Sequence, residues 1–476
     1  MLYISPKQVD RVQGEKIGES QLATTDPLRL KKIDRVKGEK IGESSFSIVI
    51  EPHDLSRIWP GEAATDPYVW TALAWGGRRD LALIRQLSQS NNLTKYQKKH
   101  IIKSREGIIR GDRRKQQDEI LECPLLEAED FPAGKHLFLK ANLLPLNEDP
   151  MTHSKDSTSF QAFQLPQLII KQGWTVDSAR FKAAIVVSAP GSKGVICSQS
   201  YISVHVEPEY HSVLESAALS YNSVLAVYFL LLTSGRLASY RPEPLVGEMR
   251  SVPIAESNSS PLGGIRTHSD IDSRVRELFE FKDTDWTLVQ DLVDYTLPDF
   301  KGDNSSPGRQ RTVSKPTLKN AGRREPHLAA YCQNFIRVLK AGFGDDKAVC
   351  ATIYQDPSDA QTPVRLVAIH LDWDRDEEVA VNEIDSSDLT ERLLELDAKF
   401  LQANPTEKGG VFFQRVARVY DEIRHGRRSI PTIFIVKPDR IRYWTRSAAL
   451  RDADEVVADL QLWNKPVFAR KTERKK

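Results

Sequence analysis

Residues 220–245 read SYNSVLAVYFLLLTSGRLASYRPEPL. The first half is apolar enough to raise the question of a membrane span. Its unbroken apolar run, 224–232, is far shorter than the roughly 20 residues that a bilayer core demands. Extending it backward meets Asn222, Ser220 and Glu215. A helix buried in a protein core is the better reading. Leu214, Ala217, Ala218, Tyr221, Leu225, Tyr228 and Leu232 recur at helical spacing, so one helix is expected through the stretch. Gly235 stands where such a helix would stop, and Pro242 and Pro244 keep it from resuming. The polar half, with Arg236, Tyr240 and Arg241, then becomes a stiffened arm leaving the core.

The residues before this helix supply what it covers. Runs 167–171, 181–187 and 194–206 are β-branched and read as strands, with Gly191 and Gly194 marking the turn between the last two. Further upstream, 45–52 (SFSIVIEP) reads as a strand. The stretch 66–90 carries helical spacing that Gly76-Gly77 splits into two helices.

Between them lies TKYQKKHIIKSREGIIRGDRRKQ, residues 94–116. Nine Lys and Arg side chains there face only Glu106 and Asp112. Such a run is either a solvated charged face or a set of phosphate contacts.

Bulk properties bound the rest. A chain of 476 residues with 40% hydrophobic and 28% charged residues has room for two or three domains with real cores. A net charge of +2 excludes a protein that is basic throughout, yet 67 Lys and Arg residues leave room for a local basic face. Cys123, Cys197, Cys332 and Cys350 form no CxxC pair, so buried free thiols are expected over zinc or disulfides. Reduced thiols and a start without a secretory pattern point to the cytoplasm.

A segment DRVxGEKIGES begins at Asp10 and again at Asp34. Two copies are too few for a solenoid, and residues 1–44 read as a polar leader. Residues 256–324 are rich in Ser, Pro, Gly and charge around one helical island, and read as a linker with one docking helix at 270–297. Residues 325–476 alternate helical and strand patterns and end in a basic tail. They read as a smaller α/β domain.

Enzymatic signatures are missing. No Walker, HExxH, GxSxG or Rossmann glycine pattern occurs. Gly342 and Gly344 follow a helix instead of a strand, which suits a plain helix-to-strand turn. Glu395, Asp397 and Lys399 fall on a predicted helix as surface charges. His100, His205, His211, His370 and His425 lack metal-ligand spacing. No catalytic, cofactor-binding or metal residue is assigned.

Taken in order, FQAFQLPQLIIKQGW, RFKAAIVV, GVICSQSYISVHV, SYNSVLAVYFLLLTSG and LVGEMRSVPI resemble one family. It is the adenine-N6 DNA methyltransferases of type I, type IIG and related phage-defence systems, in the region downstream of their catalytic core. YVWTALAWGGRRDLALIRQL, GIIRGDRRKQ and IRYWTRSAALRDADEVVADL fit the same register. The family's catalytic Asn/Asp-Pro-Pro-Tyr/Phe is lacking. TDPYVW at 65–70 is the nearest match, without the second proline, and too little chain precedes Asp66 for a catalytic core. Tyr68 is expected in the core.

The resemblance therefore implies an α+β protein. A mixed target-recognition-like domain would span 45–255, followed by the linker 256–324 and the α/β domain 325–476. It would bind double-stranded DNA for a separate or fused catalytic subunit that holds S-adenosylmethionine, and would bind no cofactor itself. Expected DNA contacts are Lys98, Lys99, Lys103, Arg105, Arg110, Arg113, Arg114, Arg236 and Arg241 for phosphates, and Gln199, Tyr201 and Tyr240 for base edges. Two other readings stand beside it: a protein-interaction scaffold in a defence complex, and a gene fragment without a role of its own.

Overall fold

The computed structural model describes residues 2–4, 9–10, 47–48, 55–110, 114–132, 136–153, 160–175, 180–189, 191–236, 243–257, 260–300, 306–312, 326–344, 348–356, 363–403 and 417–463. The class is mixed α+β, as the sequence predicts. Nearly all of the duplicated segments, and most of the 45–52 run, fall outside these residues.

Helices α1 (Val69–Trp75) and α2 (Arg78–Gln89) flank the expected Gly76-Gly77 break. The Gly77 amide donates to the Asp80 carboxylate there, which caps α2. Helix α3 (Leu93–Lys98) is capped by Asn92 and feeds the first strand.

The first sheet contains β1 (Ile102–Glu106), β2 (Phe138–Lys140), β3 (Gln167–Thr175), β4 (Arg180–Val187) and β5 (Tyr201–Val206). Their order is β1-β5-β3-β4-β2, antiparallel except for the parallel β4–β2 edge. Both faces are covered. Leu168, Ile170, Ile202 and Val204 turn toward helices, while Ile169, Ala184, Val186 and Tyr201 turn toward irregular chain around Ile120, Leu126 and Phe163. Interior strand β5 is consequently buried at every position.

The stretch quoted at the outset forms two helices instead of one, α4 (His211–Asn222) and α5 (Val224–Thr233), bent by 72° at Ser223. The break has partners for its freed backbone groups. The Asn222 carbonyl accepts from Arg180 Nη1 at 2.9 Å, and the Val224 amide donates to Asp272 Oδ1 at 3.0 Å. Asn222 Nδ2 donates to the Ala183 carbonyl at 2.8 Å, tying the bend to β4. Helix α5 is buried from Val224 to Leu232. Among the described residues no single helix is long and apolar enough to cross a membrane.

Residues 256–324, expected as a linker with one docking helix, differ in their described part. Helices α6 (His268–Leu278) and α7 (Asp283–Asp291) bury Ile271, Val275, Trp286 and Val289 in the core that α5 occupies. The polar composition of the flanks hid that apolar stripe.

A second sheet follows α8 (Pro326–Phe343). Its elements are β6 (Val349–Gln355), β7 (Val364–Leu371), β8 (Val379–Glu383), α9 (Ser386–Ala403), β9 (Ala417–His425), β10 (Arg428–Pro438) and α10 (Arg446–Trp463). The strand order is β8-β6-β7-β10-β9. The run 411–423, open between strand and helix in the sequence, is strand from Ala417 on. Helices α8 and α10 cover one face through Tyr331, Phe335, Ile369, Ile435 and Trp444, and α9 covers the other through Leu389, Leu396 and Phe434.

Helix α10 is shared between the two sheets. Leu450 enters the first core. Arg446 Nη2 reaches Asp291 Oδ1 at 2.7 Å, and Arg79 Nε reaches Asp454 Oδ2 at 2.6 Å. On its other side, Asp452 pairs with fully buried Lys437, whose ammonium also lies over the Tyr331 and Trp444 rings. Burial pulls the Lys437 pKa down to about 8 against the pull of Asp452.

Candidate nucleic-acid interface

The basic stretch 94–116 does not act as one face. Lys95 hydrogen-bonds the Ser88, Gln89 and Ser90 carbonyls, closing the end of α2. Lys98, Lys99 and Lys103 are exposed at the start of β1, where Lys103 lies opposite His205.

Arg105 is a correction. Its side chain turns inward, with the guanidinium 5.0 Å and 5.2 Å from the centres of the Phe160 and Phe163 rings. It is 8% exposed, so it braces the sheet instead of meeting phosphate. The rings lie more than 50 residues further along the chain, and no local pattern announces them.

Arg110 and Arg114 are exposed and paired with exposed acids, Glu127 at 3.8 Å and Asp149 at 3.0 Å. Such surface pairs are worth at most about 1 kcal/mol and exchange readily for another anion. Arg113 lies outside the described residues, as do Tyr240 and Arg241.

Tyr201 is the second correction. It is 2% exposed and stacks on Phe131 with ring centres 5.5 Å apart. Burial pushes its phenol up to about 12. A side chain held this way does not read a base edge. The alternation of a half-exposed strand fails for β5 because both of its faces are core.

Gln199 is exposed, in the turn just before β5. Its carbonyl accepts from Gln172 Nε2, and the Ser200 carbonyl accepts from the Gln172 amide, each at 3.0 Å. The turn sits against Gly107, where an added Cβ would lie 2.1 Å from the Ser198 carbonyl oxygen. Only glycine allows that approach.

Residues 237–242 of the expected arm lie outside the described residues. Arg236 is half-buried at its start, and Glu243 at its end lies near Gly173, where a Cβ would be 3.9 Å from Glu243 Oε1. The exposed turn and Glu243 therefore converge on Gln172-Gly173 of β3. One rung inward, Lys171 pairs across the sheet with both Lys182 and Tyr201. Lys171, Gln172 and Lys182 were not singled out in the sequence, though the polar residues at strand ends in IIKQGW and RFKAA are the signal that marks them.

The candidates thus form two groups at opposite ends of the first sheet. Lys103 stands across from His205, and Gln199 stands beyond Tyr201. The four-residue step between His205 and Tyr201 is about 13 Å of strand, roughly four base steps of a duplex.

Asp66, from the nearest match to the methyltransferase signature, is engaged locally. Its Oδ1 accepts from the Tyr68 amide at 2.8 Å and its Oδ2 from Arg85 Nε at 2.6 Å. These residues line an open cleft of about 680 Å³ with Glu62 and Gln89. Tyr68 packs partly buried against the first core. All four cysteines are free and buried, and among the described residues no three His, Cys, Asp or Glu side chains cluster as metal ligands. No protein-family model matches the chain, and no curated protein matches it.

Proposed function

We propose that this chain is the DNA-binding target-recognition portion of an adenine-specific (N6) DNA methyltransferase of a restriction-modification or phage-defence system. It works in the cytoplasm with a catalytic core, supplied by a partner subunit or a further domain, that holds S-adenosylmethionine. The observation that carries the reading is the convergence on β3. Strands from the segments that resemble the family meet there with an exposed glutamine turn and two lysines.

The roles divide by chemistry. Lysines and arginines neutralise phosphates and set the register of the duplex. Gln199 carries an amide donor and acceptor on a rigid turn, which suits an adenine edge in the major groove. Arg105 and Tyr201 hold the sheet in shape beneath it.

The test is binding of the full chain to duplex DNA across a salt series. A contact made mainly through phosphates loses affinity steeply as salt rises, by close to one unit of log–log slope per phosphate. Absent binding at low salt, or a flat salt response, overturns the reading. Co-purification with a subunit carrying the Asn-Pro-Pro-Tyr/Phe signature would support the catalytic partnership.

A further inference from the structure

The second sheet ends in a projecting hairpin. Strand β7 pairs with β10 only from His370 opposite Thr432 onward. Strand β9 continues alongside β10 for four further rungs, from Glu422–Pro431 to His425–Arg428. These rungs form a two-stranded ribbon about 10 Å long that projects past the neighbouring strand. A two-residue turn, Gly426-Arg427, closes it, with Gly426 at φ +63° as such turns require.

The ribbon's tip is cationic on every side. Arg424 and Arg428 fall on opposite faces by strand alternation, and Arg427 occupies the turn. All three are exposed, and none has an ion-pair partner among the described residues. Arg110 and Arg114, by contrast, are already paired with acids. The ribbon's own acid, Glu422, accepts a hydrogen bond from Ser429. Asp372 and Asp374 lie on the adjoining loop and pair with none of the three arginines.

The ribbon is also braced. Trp373 packs edge-on to His370 at 4.8 Å and against His425 at 5.2 Å between ring centres, and the Arg375 guanidinium lies over the Trp373 ring at 4.5 Å. His370 is itself fixed between the Thr352 and Thr432 hydroxyls, at 2.8 Å and 3.0 Å. A stiff ribbon loses little conformational entropy on docking.

We infer that this ribbon is a second duplex-DNA contact, seated in a groove with arginines reaching the phosphates of both walls. A major groove about 12 Å wide admits a two-stranded ribbon. The contact is to the backbone, so it adds affinity without sequence choice. It rests on the DNA-binding reading above and extends it to the second sheet.

The experiment compares the full-length chain with the R424A/R427A/R428A triple variant on one duplex, by affinity against salt concentration. The expected result is a log–log salt slope shallower by about 2–3 and affinity lower by at least about tenfold at low salt. The melting temperature should not change. A triple lysine variant should retain most of the slope, since charge and not side-chain packing carries the contact. If wild type binds the duplex and the alanine variant matches it, the ribbon assignment falls while the proposed function stands. If wild type binds no duplex, both fall. A loss confined to single-stranded oligonucleotides overturns the groove assignment.

Discussion

Arg180 and Asp272 lie 92 residues apart and meet as a forked ion pair at the bend between α4 and α5. Arg180 Nη1 reaches Asp272 Oδ1 at 2.9 Å, and Nη2 bonds the other carboxylate oxygen. The pair occupies the two backbone groups that the bend frees, the Asn222 carbonyl and the Val224 amide. It is mostly buried, at 11% and 18% side-chain exposure.

Removing one partner leaves a shielded charge and an orphaned amide. D272A should therefore destabilise the fold by about 2–4 kcal/mol. D272N keeps an acceptor for the Val224 amide and should cost less. Urea unfolding of the two variants checks the order. Equal midpoints for wild type and D272A would show that the bend does not depend on the pair.

The same bend explains how far this region was legible. Helical spacing from Leu214 to Leu232 located the apolar helix and its burial. It carried no sign of the break, because Arg180 and Asp272 lie outside the stretch. Arg105 and Tyr201 were misplaced for a related reason. Their partners, Phe160, Phe163 and Phe131, come from irregular chain that only the folded sheet brings close. Local patterns such as Gly76-Gly77 and the α8 stripe carried through because their causes are local.

Arg105 offers a direct check of its corrected role. R105A removes a cation packed over two neighbouring rings and should cost about 1–2 kcal/mol in stability. The salt slope of duplex binding should stay at the wild-type value, because no phosphate contact is lost. A shallower slope in a normally folded R105A protein would return Arg105 to the proposed DNA contacts.

Gly107 should tolerate no side chain. G107A places a Cβ against the Ser198 and Cys197 carbonyls, at 2.1 Å and 2.2 Å, so backbone must move. A loss of about 2 kcal/mol or more is expected. Because the displaced turn carries Gln199, discrimination between DNA sequences should weaken together with stability. Thermal melting and competition between specific and random duplexes read the two effects.

His370 gives the fold an acid limit. Burial, with Arg375 nearby, lowers its pKa from 6.5 to about 4. Between those values the unfolded chain binds a proton that the folded chain refuses, so stability falls as pH drops through that window. The loss is at most about 3 kcal/mol for the one group. H370Q should flatten this part of the stability–pH curve. An unchanged curve would assign the acid sensitivity to other groups.

Helix α10 sets an order of assembly during synthesis. It is translated after both sheets, yet it fills the first core with Leu450 and answers Asp291 with Arg446. Until the ribosome has passed Asp454, Arg79 lacks its Asp454 partner and Asp291 has no cation from this helix. A growing chain that stalls in the second sheet would leave the first core without Leu450 and open to chaperones and proteases. The first sheet's core is thus completed by the stretch of chain made last among its supports.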